Sequence, residues 1–104
     1  MILTTTEKIS GKEISQIIGM VKGNTIRARN VGRDILAIAK NVVGGEIKEY
    51  TALMAQSREQ AIDRMKEEAE KKGADAIVSV RITTSSVTAG AAEILAYGTA
   101  VKLN

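Results

Sequence analysis

From Ser57 to Thr84 the chain reads SREQAIDRMKEEAEKKGADAIVSVRITT, an amphipathic helix, a stop and a strand in immediate succession, and no other stretch limits the fold as tightly. Tyr50, Met54, Ala61, Met65 and Ala69 recur at spacings of four or seven, while Glu59, Asp63, Lys66, Glu67 and Glu70 take the other side. That period predicts a helix with one buried face and one wet face. Ser57 followed by Gln60 has the form of a capping box. The apolar stripe already runs through Leu53 and Met54, however, which favours one continuous helix from about Glu46. Lys71 and Lys72 suit the negative end of the helix dipole, and Gly73 is expected in the left-handed conformation of a C-terminal cap. Beyond it, Ala76, Val78, Val80 and Ile82 alternate with Ile77, Ser79, Arg81 and Thr83, the pattern of a strand with one fully apolar face.

A chain of 104 residues is long enough for a single domain whose core has little surplus stability. It contains no Phe and no Trp, and Tyr50 and Tyr97 are its only aromatic residues. The core therefore has to be made of Ile, Val, Leu, Ala and Met, which fill a thin two-layer structure and leave part of the stability to neighbours. Without cysteine, disulfides are excluded and redox chemistry does not decide the compartment. The opening MILTTTEKIS lacks the basic start and apolar run of a signal peptide, and no stretch approaches the roughly 20 apolar residues of a membrane span. A soluble cytoplasmic protein with no membrane partner is the expectation. A formal charge of +3 is too mild to indicate a partner.

Taken in order, Ile2 to Thr6 reads as a short edge strand and Glu7 to Lys12 as a turn around Gly11. From Glu13 to Asn30 the β-branched residues predict one long bent strand whose alternation slips near Gly19 and Gly23, with a hairpin at Gly23-Asn24 as second choice. Asn30 can cap a short helix through about Val43, and Gly44-Gly45 then separates it from the long helix. Ser85 to Ala92 reads as a small-residue loop and Glu93 to Leu103 as a last strand. Leu95, Tyr97, Thr99, Val101 and Leu103 share one face of that strand; Ile94, Ala96, Gly98 and Ala100 share the other. Water cannot account for two such faces, so one is expected against the subunit's own helix and one against a neighbouring subunit.

Leu3 to Thr6 (LTTT), Val21 to Asn24 (VKGN), Arg29-Asn30, Val43 to Thr51 (VGGEIKEYT), Ser57-Arg58, Ala61, Gly73 to Ile82 (GADAIVSVRI) and Glu93 to Leu103 (EILAYGTAVKL) together resemble the YbjQ-like family across essentially the whole chain. These small bacterial and archaeal proteins carry a heavy-metal-binding label and no established activity. The resemblance implies an α+β fold: a two-layer β-α-β-β unit, an antiparallel sheet backed by a long helix and similar to the dodecin subunit. It also implies five subunits closed into a homopentameric ring.

Each chemical possibility has a structural reading beside it. Soft metals select thiolate or imidazole, and this chain has neither, so no metal site is expected. Glu67, Glu68 and Glu70, interleaved with Lys66, Lys71 and Lys72, read as a solvated helix face. Gly44 and Gly45 precede a helix start that could receive an anion, although Glu46 and Glu49 compete for that position and the glycines also serve a sharp turn. Arg27, Arg29 and Arg33, with Lys22 and Lys40, lack the stacking aromatics of a nucleic-acid surface, so nucleic acid is not an expected partner. No serine has a base to activate it, and no catalytic residue or cofactor is assigned. The ligand-binding candidates are Gly44, Gly45, Tyr50, Arg58, Arg81, Glu93 and Tyr97. The leading expectation is a non-catalytic ring that binds a small ligand or a protein at its subunit junctions. The alternative is an enzyme whose site is completed between subunits by Arg58, Arg81 and Glu93.

Overall fold

A computed structural model describes residues 1–28, 42–43, 46–88 and 90–104, with the main chain alone at 28, 42–43 and 46–50. The short helix expected from Asn30, together with Arg29, Arg33, Lys40, Gly44 and Gly45, lies outside the described residues. The elements are β1 (Ile2–Leu3), β2 (Ile14–Ala28), β3 (Val42–Val43), β4 (Glu46–Ile47), α1 (Lys48–Lys71), β5 (Ala76–Thr88) and β6 (Ala91–Leu103). Val42 and Val43 are not the end of a helix: they pair antiparallel with Ile47 and Glu46.

Helix α1 is continuous, as the apolar stripe through Leu53 and Met54 requires. Ser57 is therefore no cap. Its hydroxyl turns back to donate to the Leu53 carbonyl at 2.9 Å. At the far end, Ala74 N–H donates to Ala69 O at 3.1 Å and Gly73 N–H to Glu70 O at 3.0 Å, with Gly73 at φ +76°. This pair of bonds is a Schellman closure, and the half-buried Ala74 packs back on the core cluster that contains Ala69.

The main sheet has the order β1-β5-β6-β2. Strands β2, β6 and β5 are antiparallel, but β1 joins β5 in parallel, so the sheet is mixed rather than antiparallel throughout. Topology is the reason: β1 and β2 occupy opposite edges, and residues 4–13 must cross from one edge to the other. Strand β2 is one long strand with irregular pairing around Gln16 and Gly19. No hairpin forms at Gly23, which instead lies flat under α1, where a Cβ would collide with the main chain of Ala61, Arg64 and Met65.

Ser85–Ala92 is not a loop. Strand β5 runs on to Thr88 and β6 begins at Ala91, with Gly90 at φ +78° in the turn. Hydroxyl and β-branched residues suit a strand there, so small size alone does not mark a loop. The apolar face expected for β5 is also broken. Ser79, at φ +54°, and Val80 together oppose Gly98, and this bulge reverses the phase. Ala76 and Val78 consequently face away from the helix, while Ile77 and Val80 face toward it.

Two clusters result. Against α1, Val21, Ile77, Ile94, Ala96 and Ala100 meet Ala61, Met65 and Ala69. On the outer face, Ala76, Val78 and Val101 are covered by Ile9 of the crossing segment and by Ile14 at the start of β2, with Leu103 beside them. Val101 is fully buried by its own chain, so at this end of β6 the second face needs no neighbour.

Candidate functional site

Beyond the crossing segment the outer face of the sheet is open, and its register lines side chains up in rows. Residues directly opposite in antiparallel strands share a face. Arg81, Tyr97 and Lys22 therefore form one row across β5, β6 and β2; Thr83, Leu95 and Asn24 form the next; Ser85, Glu93 and Ile26 the third. On the other side of the first row, Met20 stands opposite Thr99.

Three of the residues expected at a ligand site, Arg81, Glu93 and Tyr97, are brought together on this face. Arg81 Nη1 donates to Thr5 O at 2.9 Å and to Val80 O at 2.8 Å, which ties its guanidinium to the main chain. Glu93 Oε2 accepts a hydrogen bond from Asn24 Nδ2 at 3.2 Å, fixing the carboxylate to the neighbouring strand. Tyr97 is 36% exposed. Arg58 is exposed on α1, in the layer that covers the opposite face, so one chain alone does not unite it with the other three. Tyr50 falls in the first turn of α1, with its side chain outside the described part.

Lys22 and Asn24 belong to the same face, and sequence reasoning missed them. The signal was available: they alternate with Val21, Gly23 and Thr25, all three of which are buried under the helix. The inner face carries a polar seam of its own. Thr25 Oγ1 donates to Ser57 O at 3.1 Å, Arg27 Nε donates to Ser57 Oγ at 2.9 Å, and Arg27 Nη2 donates to Gln60 Oε1 at 2.8 Å. The guanidinium is thus used in joining β2 to α1 within one chain. Along the free edge of β2, Lys22 N–H donates to Glu68 Oε2 at 3.2 Å and Arg64 Nη1 donates to Asn24 O at 2.6 Å. Two helix side chains one turn apart therefore blunt the middle of an open strand edge. A hollow of about 810 Å³ lies elsewhere, along the segment between Thr6 and Ile14, and touches none of the expected site residues.

The donor set does not fit a heavy metal. The chain has no Cys or His. Among the described residues no three acids converge. Glu68 is already paired with Lys72 at 3.4 Å and with the β2 edge. Of the four thioethers, Met65 is buried in the core with Met54 packed against the same cluster, and Met1 and Met20 sit toward opposite edges of the sheet.

Comparison with known proteins finds relatives that match over nearly the whole chain. A family model described as "Putative heavy-metal-binding", YbjQ_1, matches residues 1–104. A UPF0145 protein of Archaeoglobus fulgidus is 58% identical over 103 residues, covering 99% of this chain and 95% of that protein. One from Vibrio parahaemolyticus is 55% identical, covering 99% and 98%. Among solved structures, a protein of unknown function from Pediococcus pentosaceus, assigned to the DUF74 family, superposes with a TM-score of 0.69 at 18% identity, over 100% of this chain and 98% of that one. That likeness concerns the fold alone.

Proposed function

Because this chain belongs to the YbjQ-like, UPF0145 family, whose label names a metal its side chains are poorly equipped to hold, we propose a different role: a non-catalytic homo-oligomer whose subunit junctions take a small ligand or a protein partner. The observation that carries this reading is the outer face beside β2. Ile17, Met20 and Ile26 are 69%, 66% and 59% exposed there, a concentration of large apolar side chains that a solitary subunit would leave in water. The subunit's dimensions point the same way. Its radius of gyration is 17.1 Å, against about 13 Å for a compact domain of this length. From Arg81 to Thr88 every residue of β5 is exposed.

A second copy of this chain is the occupant proposed for that face. The number five and the dodecin-like ring are what the family resemblance implies, and a cytoplasmic location accompanies them. Among the described residues no helix is long and apolar enough to cross a membrane. Arg81, Glu93 and Tyr97 then line the junction from one side, and Arg58 of an adjacent subunit is a candidate for the other.

Light scattering and native mass spectrometry test the assembly directly. The parent protein is expected as a ring of five, and Met20→Glu with Ile26→Glu, both at exposed positions, should yield a folded species of smaller mass. A monomeric parent at micromolar concentration would refute the proposal, as would a double variant of unchanged mass. Turnover in a broad hydrolase and transferase screen that disappears in Glu93→Gln would replace it with the intersubunit enzyme.

A further inference from the structure

Taking the junction lined by Arg81 and Tyr97 as the ligand site, as above, we infer that it takes a small planar aromatic anion, of which a nucleoside monophosphate is the simplest example. Tyr97 is the stacking surface, and Arg81 and Lys22 hold the charge. The register sets these three in one row on adjacent strands. At about 4.8 Å per strand, the two cations flank the tyrosine with their Cα atoms roughly 10 Å apart. The same-face neighbours of Tyr97 along β6 are Leu95 and Thr99, and the tyrosine remains 36% exposed beside them.

The guanidinium of Arg81 is arranged for an anion. Both of its bonds to main-chain carbonyls run from Nη1, which leaves the Nε and Nη2 donors of an anchored fork. Lys22 is exposed. Among the described residues of β2, β5 and β6, the one carboxylate on this open face is Glu93. It lies four residues along β6, about 13 Å from Tyr97, and is held by Asn24. The charge around the tyrosine is therefore positive. An aliphatic anion would leave the ring unused, whereas a nucleic acid strand needs successive aromatic platforms and this face offers one. A single ring between two cations suits one base and one phosphate.

The experiment is a titration of the full chain with adenosine 5′-monophosphate, adenosine and ribose 5-phosphate, followed by calorimetry and by tyrosine emission. The chain has no Trp, and Tyr97 is one of only two tyrosines, so its quenching is directly visible. The monophosphate should bind at least about fivefold more tightly than either fragment. Tyr97→Ala should weaken it by a similar factor, Tyr97→Phe should not, and Lys22→Gln should weaken it while leaving adenosine unchanged. Absence of saturable binding below about 10 mM would overturn the inference, as would equal affinity in the parent, Tyr97→Ala and Lys22→Gln. Mass is measured on the same samples. An intact ring that ignores the monophosphate sinks this inference alone, and a monomer that binds it sinks only the junction.

Discussion

Gly73 has φ +76° and room beside it, since a Cβ there would come no closer than 3.8 Å to the Lys102 side chain. Its requirement is conformational. Gly73→Val should cost on the order of 1–2 kcal/mol because a β-branched residue tolerates left-handed backbone badly. Gly23 is the reverse case. No left-handed angle is involved, but an added Cβ would lie 2.8 Å from the Arg64 carbonyl carbon and closer still to main-chain atoms of Ala61 and Met65. Helix and strand must part to admit it, so even Gly23→Ala should cost about 1–3 kcal/mol. Urea denaturation separates the two. Gly73→Ala should recover part of the loss seen with valine, whereas at position 23 alanine already meets the obstruction. Midpoints equal to the parent's would mean that α1 neither ends nor packs as described.

Strand β6 carries the clearest prediction among the elements, because both of its faces are buried at one end by parts of the same chain. Ala100 lies under α1 and Val101 under the crossing segment, and both are fully buried. Ala100→Glu and Val101→Glu place uncompensated charges on opposite sides of the sheet, each at a cost of several kcal/mol. Circular dichroism should show that both unfold the subunit. The sequence predicts a neighbouring subunit on one face of β6; at Val101 that cover comes instead from Ile9 and Ile14 of the same chain. The helix with its cap and the alternation of β6 were legible because each has a strict period and a residue type that marks its end. The side of β6 occupied by Glu93 and Tyr97 could be read from the same alternation. The bulge at Ser79 could not, since a serine at φ +54° leaves no trace in composition. Nor could the segregation of Arg58 from Arg81, which depends on the phase of α1 against a sheet whose register comes from distant residues.

For the molecule as a whole, the composition that leaves it without thiolate or imidazole predicts weak zinc binding. Calorimetric titration of chelator-stripped protein should give no dissociation constant at or below about 1 μM, equivalent to roughly 8 kcal/mol; a tighter value would restore the sense of the family's label. The crossing segment has a further effect, on the order in which the subunit can form. Ile2 pairs with Ala76 and Ile14 with Leu103, so β1 finds its partner only once β5 is made and β2 only once β6 is made. Until then α1 can wind, but its sheet does not exist. Contacts so distant in sequence slow folding, because a long loop must close before any of them is rewarded. While β6 is absent, Ile9, Ile14 and the β2 stripe therefore stay uncovered, and productive collapse waits for that strand.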